Sequence, residues 1–219
     1  MRTIFVGDIH GCFDEFQLML KKLNYNSSDD RLIILGDVIN KGPKSFEALK
    51  YVRDHHIEMI LGNHEFGFIK YCELEDTSEY DRAKPSGFKL LKDEIVNDPK
   101  EELEDWLTFL KRQPRFIEED NWIAVHGGLH PQKTLEETED EFLFFVREIE
   151  GRAWFDFYKG DKKIIFGHWA SLGLFSNDKV ICLDSRCCYG GSLSAFIYED
   201  NKVIQVKALK AYAKVVIRA

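Results

Sequence analysis

Short apolar runs rich in β-branched residues recur along the chain, and most of them stop at a glycine or a histidine. Arg2–Val6, Leu32–Leu35, Ile57–Leu61, Trp122–Val125, Lys163–Phe166 and Val180–Leu183 have the length and composition of buried strands. Between them the period changes. Phe13, Phe16, Leu20 and Leu23 recur at helical spacing. Asn24–Asp30 is a polar turn cluster, and Pro43 stands where a first helical turn tolerates it, opening a helix to about Asp54. The polar stretch after Glu73 carries Pro85, Gly87 and Pro99. Glu101–Gln113 is amphipathic through Leu103, Trp106, Leu107 and Leu110. Together they predict a polar, mainly helical insertion at about 73–113. Gln132–Glu150 is predicted helical, with Phe142, Leu143, Phe144 and Phe145 as its apolar group. Leu193–Tyr198 and Lys202–Val206 flank Glu199-Asp200-Asn201, which reads as a hairpin turn. The pattern predicts an α/β fold of two packed mixed β-sheets flanked by helices, forming one domain over 1–219.

The chemistry lies where the runs end. Gly7-Asp8-Ile9-His10-Gly11, Gly36-Asp37-Val38, Gly62-Asn63-His64-Glu65 and His126-Gly127-Gly128 each follow a predicted strand, as does Gly167-His168. Ligands of open α/β sheets bind outside the carboxyl ends of the strands, so these loops should converge. Singly they say little, because Asp and Gly are ordinary turn residues. The Asp8-x-His10 spacing places both side chains on one side of an extended segment. The two oxygens of Asp37 allow it to serve two cations. Asp8 and His10 then fall to one ion, and Asn63, His126 and His168 to the other. Carboxylate, amide and imidazole donors suit two divalent ions, with manganese preferred over cobalt, iron or zinc, in a phosphoester hydrolase.

Composition narrows the picture. The chain has 219 residues, 44% of them hydrophobic, enough for a packed core. The net charge of −8 argues against broad nucleic-acid binding but not against an anionic substrate beside two cations. No apolar run approaches the roughly 20 residues that span a bilayer. The first strand begins at Arg2 and leaves no room for an export signal, so a cytoplasmic location is expected. The five cysteines, among them the adjacent Cys187 and Cys188, are odd in number and read as reduced thiols.

The order of these motifs resembles the calcineurin-like metallophosphoesterases, in the branch shared with protein Ser/Thr phosphatases. Phe166-Gly167-His168-Trp169-Ala170-Ser171 and the stretch Leu183-Asp184-Ser185-Arg186-Cys187-Cys188-Tyr189-Gly190-Gly191-Ser192-Leu193 are similar to the bacterial symmetrical bis(5′-nucleosyl)-tetraphosphatases. The resemblance implies that Asp8, His10, Asp37, Asn63, His126 and His168 ligate metal and that His64 is the catalytic histidine. It implies hydrolysis of diadenosine tetraphosphate to two ADP by a hydroxide shared between the ions. A Ser/Thr protein phosphatase, or an RNA cap or 5′-end pyrophosphatase, remains the alternative on the same centre. A binding module without turnover is a third reading. Lys41 stands where relatives carry Arg, keeping the charge without the planar fork. Lys41 and Arg147 are the expected phosphate contacts, and Asn40, Tyr189 and Arg186 possible cleft residues. Asn40 replaces an Asp of the protein phosphatases and counts against that activity.

Overall fold

The computed structural model describes residues 1–74 and 87–214. One sheet contains β1 (Arg2–Val6), β2 (Asp30–Ile34), β3 (Glu58–Met59), β11 (Ser192–Ile197) and β12 (Lys202–Lys207), in the order β12-β11-β1-β2-β3. The other contains β4 (Phe116–Glu118), β5 (Trp122–Val125), β8 (Lys163–Phe166), β9 (Phe175–Ser176) and β10 (Val180–Cys182), in the order β4-β5-β8-β10-β9. β1, β2 and β3 run parallel, as do β5, β8 and β10, and antiparallel strands complete each sheet. The sheets meet face to face. Phe5, Ile33, Leu35 and Ile60 of the first interleave with Trp122, Ala124, Ile165 and Ile181 of the second. The Phe5 and Trp122 rings pack edge to face at 4.8 Å. Both sheets are mixed and helices cover them, as the hydrophobic pattern predicts.

Helix α1 (Phe13–Leu23) buries Phe16, Met19, Leu20 and Leu23, and α2 (Ser45–Asp54) buries Ala48, Leu49 and Val52. Helix α3 (Asn63–Glu73) begins directly at the third motif, so Asn63 and His64 occupy a helix amino terminus rather than a loop. Helices α4 (Gly87–Asn97) and α5 (Leu103–Lys111) lie in the stretch expected to be a helical insertion. Residues 75–86 of that stretch, and with them Pro85, lie outside the described residues.

Two expectations need correction. The strand expected over Ile57–Leu61 pairs regularly only at Glu58–Met59. Ile60 still donates to the Ile34 carbonyl, but Leu61 turns to that of Pro114. The helix expected over Gln132–Glu150 is only α6 (Asp140–Phe145), followed by a two-stranded ribbon, β6 (Glu148–Ile149) and β7 (Arg152–Ala153). The cause is local. Thr134 exchanges hydrogen bonds with Glu137, and the Thr138 hydroxyl donates to the Thr134 carbonyl, which favours a turn over a helix. Glu150 (φ 52°) and Gly151 (φ 72°) then close the ribbon. Among the described residues no helix is long and apolar enough to cross a membrane.

Candidate metal centre

Every parallel strand ends at the same edge of the molecule. Asp8 and His10 follow β1, Asp37 follows β2, Asn63 and His64 follow β3, His126 follows β5, and His168 follows β8. Asp8, His10, Asp37 and His126 are all at most 3% exposed, and His168 is 9% exposed. Two glycines make room for the carboxylates. A Cβ on Gly62 would strike Asp37 Oδ1, and one on Gly167 would strike Asp8 Oδ1. His10 (φ 48°), Asp37 (φ 51°), Asn40 (φ 72°), Lys41 (φ 69°) and His168 (φ 64°) hold the left-handed backbone that side chains other than glycine rarely adopt.

The histidine rings are oriented by backbone carbonyls. His10 Nδ1 lies 3.1 Å from the Ile39 oxygen, His126 Nδ1 2.7 Å from Leu35, and His168 Nε2 3.2 Å from Phe145. A carbonyl only accepts, so each of these nitrogens carries the hydrogen, and the other nitrogen of each ring presents a lone pair. The lone pairs of His126 and His168 meet acceptors, whereas that of His10 takes the Lys41 ammonium beside two carboxylates. His126 Nε2 and His168 Nδ1 lie 3.0 and 2.8 Å from the same Asn63 Oδ1. His126 Nε2 is also 3.4 Å from Asp37 Oδ1. His10 Nε2 is 3.4 Å from Asp37 Oδ2 and 3.8 Å from Asp8 Oδ2. Lone pairs facing carboxylate and amide oxygens repel unless a cation lies among them. Carbonyl-oriented imidazole with carboxylate is also how proteins present metal ligands. The donor set therefore fits two cations sharing Asp37, with His10 and Asp8 on one side and Asn63, His126 and His168 on the other. Two candidate ligand groups, His10 with Asp37 and His64, and Asp8 with Asp37 and His126, have their ligand atoms within 4.8 Å of one another.

His64 differs from the rest. Asn40 Oδ1 accepts from the Lys41 N–H at 2.8 Å, which turns its amide nitrogen toward His64 Nδ1 at 2.9 Å. His64 Nδ1 therefore accepts, and Nε2 carries the hydrogen. With no lone pair on that side, His64 presents an N–H rather than a ligand atom.

Electrostatics agree with a cation site. Burial pushes Asp37 up to about 7 and also raises Asp8 and Asp184. Burial lowers His10 and His168 and takes His126 down to about 4, so the imidazoles are neutral. Lys41 Nζ sits 2.7 Å from His10 Nε2 and 5.4 Å from the Tyr189 ring, which brings both predicted residues to the site. Arg147 donates to the His168 carbonyl at 3.4 Å, and its charge lowers Asp37. Arg186 is directed elsewhere. Its guanidinium bonds the carbonyls of Ala170 and Ser171, stapling the loop after β10 to the loop after β8.

The sequence reading gave no role to two buried carboxylates here. Glu65 is fully buried, and its oxygens accept from the N–H groups of Asp37 (2.8 Å), Val38 (2.8 Å), Ile39 (3.2 Å) and Gly62 (3.0 Å). It lashes the second motif to the third. A glutamate three residues after Gly62 is the sequence signal for this clamp. Asp184, 4% exposed at the end of β10, adds charge beside Asp8 and Asp37. Its position after a parallel strand could have marked it. Trp169 packs with Phe155, and all five cysteines are free thiols, with Cys12, Cys182, Cys187 and Cys188 buried.

Comparisons with known proteins agree with this geometry. Residues 1–207 match the model of the calcineurin-like phosphoesterase family. A symmetrical bis(5′-nucleosyl)-tetraphosphatase of Vibrio parahaemolyticus is 28% identical over 95% of this chain and 100% of its own. One of Neisseria meningitidis is 29% identical over 93% and 94%. A crystal structure provisionally named a diadenosine tetraphosphatase superposes with a TM-score of 0.78 at 30% identity, covering 94% of this chain and 93% of that one. A Saccharomyces cerevisiae protein Ser/Thr phosphatase shares the fold, with a TM-score of 0.56 at 15% identity over 100% of this chain and 81% of its own. This chain, its strand-end loops gathered on one edge, belongs to the calcineurin-like phosphoesterase family.

Proposed function

We propose that the chain hydrolyses diadenosine tetraphosphate symmetrically to two ADP, using two divalent cations held by Asp8, His10, Asp37, Asn63, His126 and His168. The observation that carries the reading is the convergence of three oriented imidazole lone pairs on Asp8, Asp37 and Asn63. The names of the relatives supply the substrate. When bound, such cations supply Lewis-acid charge at phosphorus and an ionised water at neutral pH. Manganese is the preferred ion for this donor set, and the cytoplasm the expected location.

The rest of the work falls to the chain's own groups. Water adds to one of the two central phosphorus atoms as the anhydride bond between them breaks, and each product leaves with two phosphates. His64, its hydrogen held on Nε2 by Asn40, donates to the departing oxygen. Lys41 and Arg147 offer positive charge to the remaining phosphate oxygens, and the amino terminus of α3 adds its dipole. The test is the product pattern from diadenosine tetraphosphate with manganese, alongside a phosphopeptide and a capped RNA. ADP alone is expected. ATP with AMP, or faster turnover of either alternative substrate, overturns the reading.

Two further outcomes follow. Asn40→Ala removes the amide that keeps the hydrogen on His64 Nε2, so turnover should fall about 10–100-fold with cation content unchanged. Calorimetry of the metal-bound protein and product assays separate the two quantities. Cation binding should also strengthen with pH. Asp37, raised to about 7, holds a proton below that pH which an incoming cation must displace. His126, at about 4, is already neutral and offers no such resistance. The rise in Tm on adding manganese should thus grow from pH 6 to pH 8 and level off above it.

A further inference from the structure

A cavity of about 290 Å³ adjoins the metal centre through Asn40 and Lys41, which line both. Pro43 lines it as well, as do Leu90, Leu91 and Glu94 of α4. Its volume is near the lower end of the ~300–1,000 Å³ range of small-molecule pockets, room for one nucleoside rather than two. Its chemistry is ordered. Gly87 places the start of α4 directly against the Asn40 side chain. Glu94 stands seven residues further along the helix, about 10 Å away at the usual rise per residue. A cation therefore marks the end next to the metal centre, an apolar surface the middle, and a carboxylate the far end. Leu90 is 65% exposed and Leu91 is 1% exposed, so the wall offers an apolar edge to solvent over a fixed floor.

A nucleotide has the complementary order: phosphate, sugar, then a flat base with polar edges. A carboxylate at the base end accepts hydrogen bonds and gives none, so it selects bases that present an amino group there. A base presenting a carbonyl at the same place would set oxygen against oxygen. We infer that this cavity seats one adenosine of the substrate, its base against Pro43 and Leu90, its 6-amino group donating to Glu94, and its phosphates leading past Lys41. The inference rests on the diadenosine reading for its substrate, and it adds a specificity-determining residue, Glu94, in the helix beyond the motifs.

The test compares diadenosine tetraphosphate with diinosine tetraphosphate, in which a carbonyl replaces the 6-amino group, at saturating manganese. The parent should show a KM roughly 3–10-fold lower for the adenosine substrate, the span of one hydrogen bond. Glu94→Ala should raise KM for diadenosine tetraphosphate by that factor with kcat unchanged, and lower KM for diinosine tetraphosphate by removing the opposed oxygen. Leu90→Ser, at an exposed position, should raise KM for both. An unchanged adenosine preference in Glu94→Ala overturns the assignment. Direct titration with ADP separates this from the diadenosine reading. If the parent releases no ADP from the dinucleotide, that reading fails. Weaker ADP binding by Glu94→Ala than by the parent still supports the cavity, and equal binding overturns it.

Discussion

Asp37→Asn should reduce hydrolysis of diadenosine tetraphosphate by about 10³-fold or more and leave the protein unable to hold a pair of cations. The magnitude is at the upper end of what removing one preorganised electrostatic group costs an active site. Asp37 is where the two halves of the centre touch: Oδ1 lies 3.4 Å from His126 Nε2, and Oδ2 lies 3.4 Å from His10 Nε2. It also accepts from the His64 backbone N–H at 2.9 Å. Asparagine keeps the shape and that one acceptor but removes the charge and one oxygen. The loss should appear as cation stoichiometry in elemental analysis as well as in rate. Folding should not suffer. Asp37 is raised to about 7 by burial, so its ionised form burdens the metal-free fold at pH 8. Metal-free Asp37→Asn is therefore expected to melt at or above the parent at that pH. A variant that binds a full complement of manganese, or that melts far below the parent, contradicts this assignment.

Glu65→Ala should be the most destabilising single change in the site. It strips the partner from the buried N–H groups of Asp37, Val38, Ile39 and Gly62 together. Each buried donor left unmet costs ~1–3 kcal/mol, so the sum reaches the ~5–15 kcal/mol that holds a typical domain together. Loss of cooperative unfolding, or failure to accumulate as folded protein, is expected. Glu65→Gln is the sharper probe. One carboxylate oxygen serves Val38 and Ile39, the other Asp37 and Gly62. The amide must turn an NH₂ toward one of these pairs, so about half the effect should remain. Burial pushes Glu65 up to about 7, while the N–H groups around it pull the other way. On that balance the parent's own stability, from this group, is greatest at low pH and declines as pH rises through 7. Glu65→Gln should flatten that slope in metal-free denaturation curves. A wild-type melting temperature in Glu65→Ala would exclude the clamp.

Much of the architecture was legible because hydrophobic runs and their terminating loops obey short-range rules. β1, β5 and β8 appear at the predicted bounds, and the loops with the candidate ligands follow the carboxyl ends of parallel strands. What escaped depends on distant partners. β4 and β9 are short antiparallel edges that acquire strand character only by pairing with β5 and β10. The Thr134 and Thr138 hydroxyls overrode a helical pattern through bonds that hydrophobicity does not register. Phe88 packs its ring 6.1 Å from that of His64, and Gly87 presses on Asn40. These contacts join the polar insertion to His64 and its partner, and nothing local in either segment announces them. Arg186 carried the right charge in the right motif, yet its guanidinium is directed to two carbonyls of a neighbouring loop.

The left-handed backbone at His10, Asp37, Asn40, Lys41 and His168 has an evolutionary consequence. Glycine relaxes such a residue at little steric expense, so a laboratory lineage selected for heat tolerance alone would gain by substituting there. Each gain would erase a side chain on which the proposed chemistry relies. Durability and turnover pull in opposite directions at these positions, and a breeding programme for a hardier enzyme would do better to search among the outer helices.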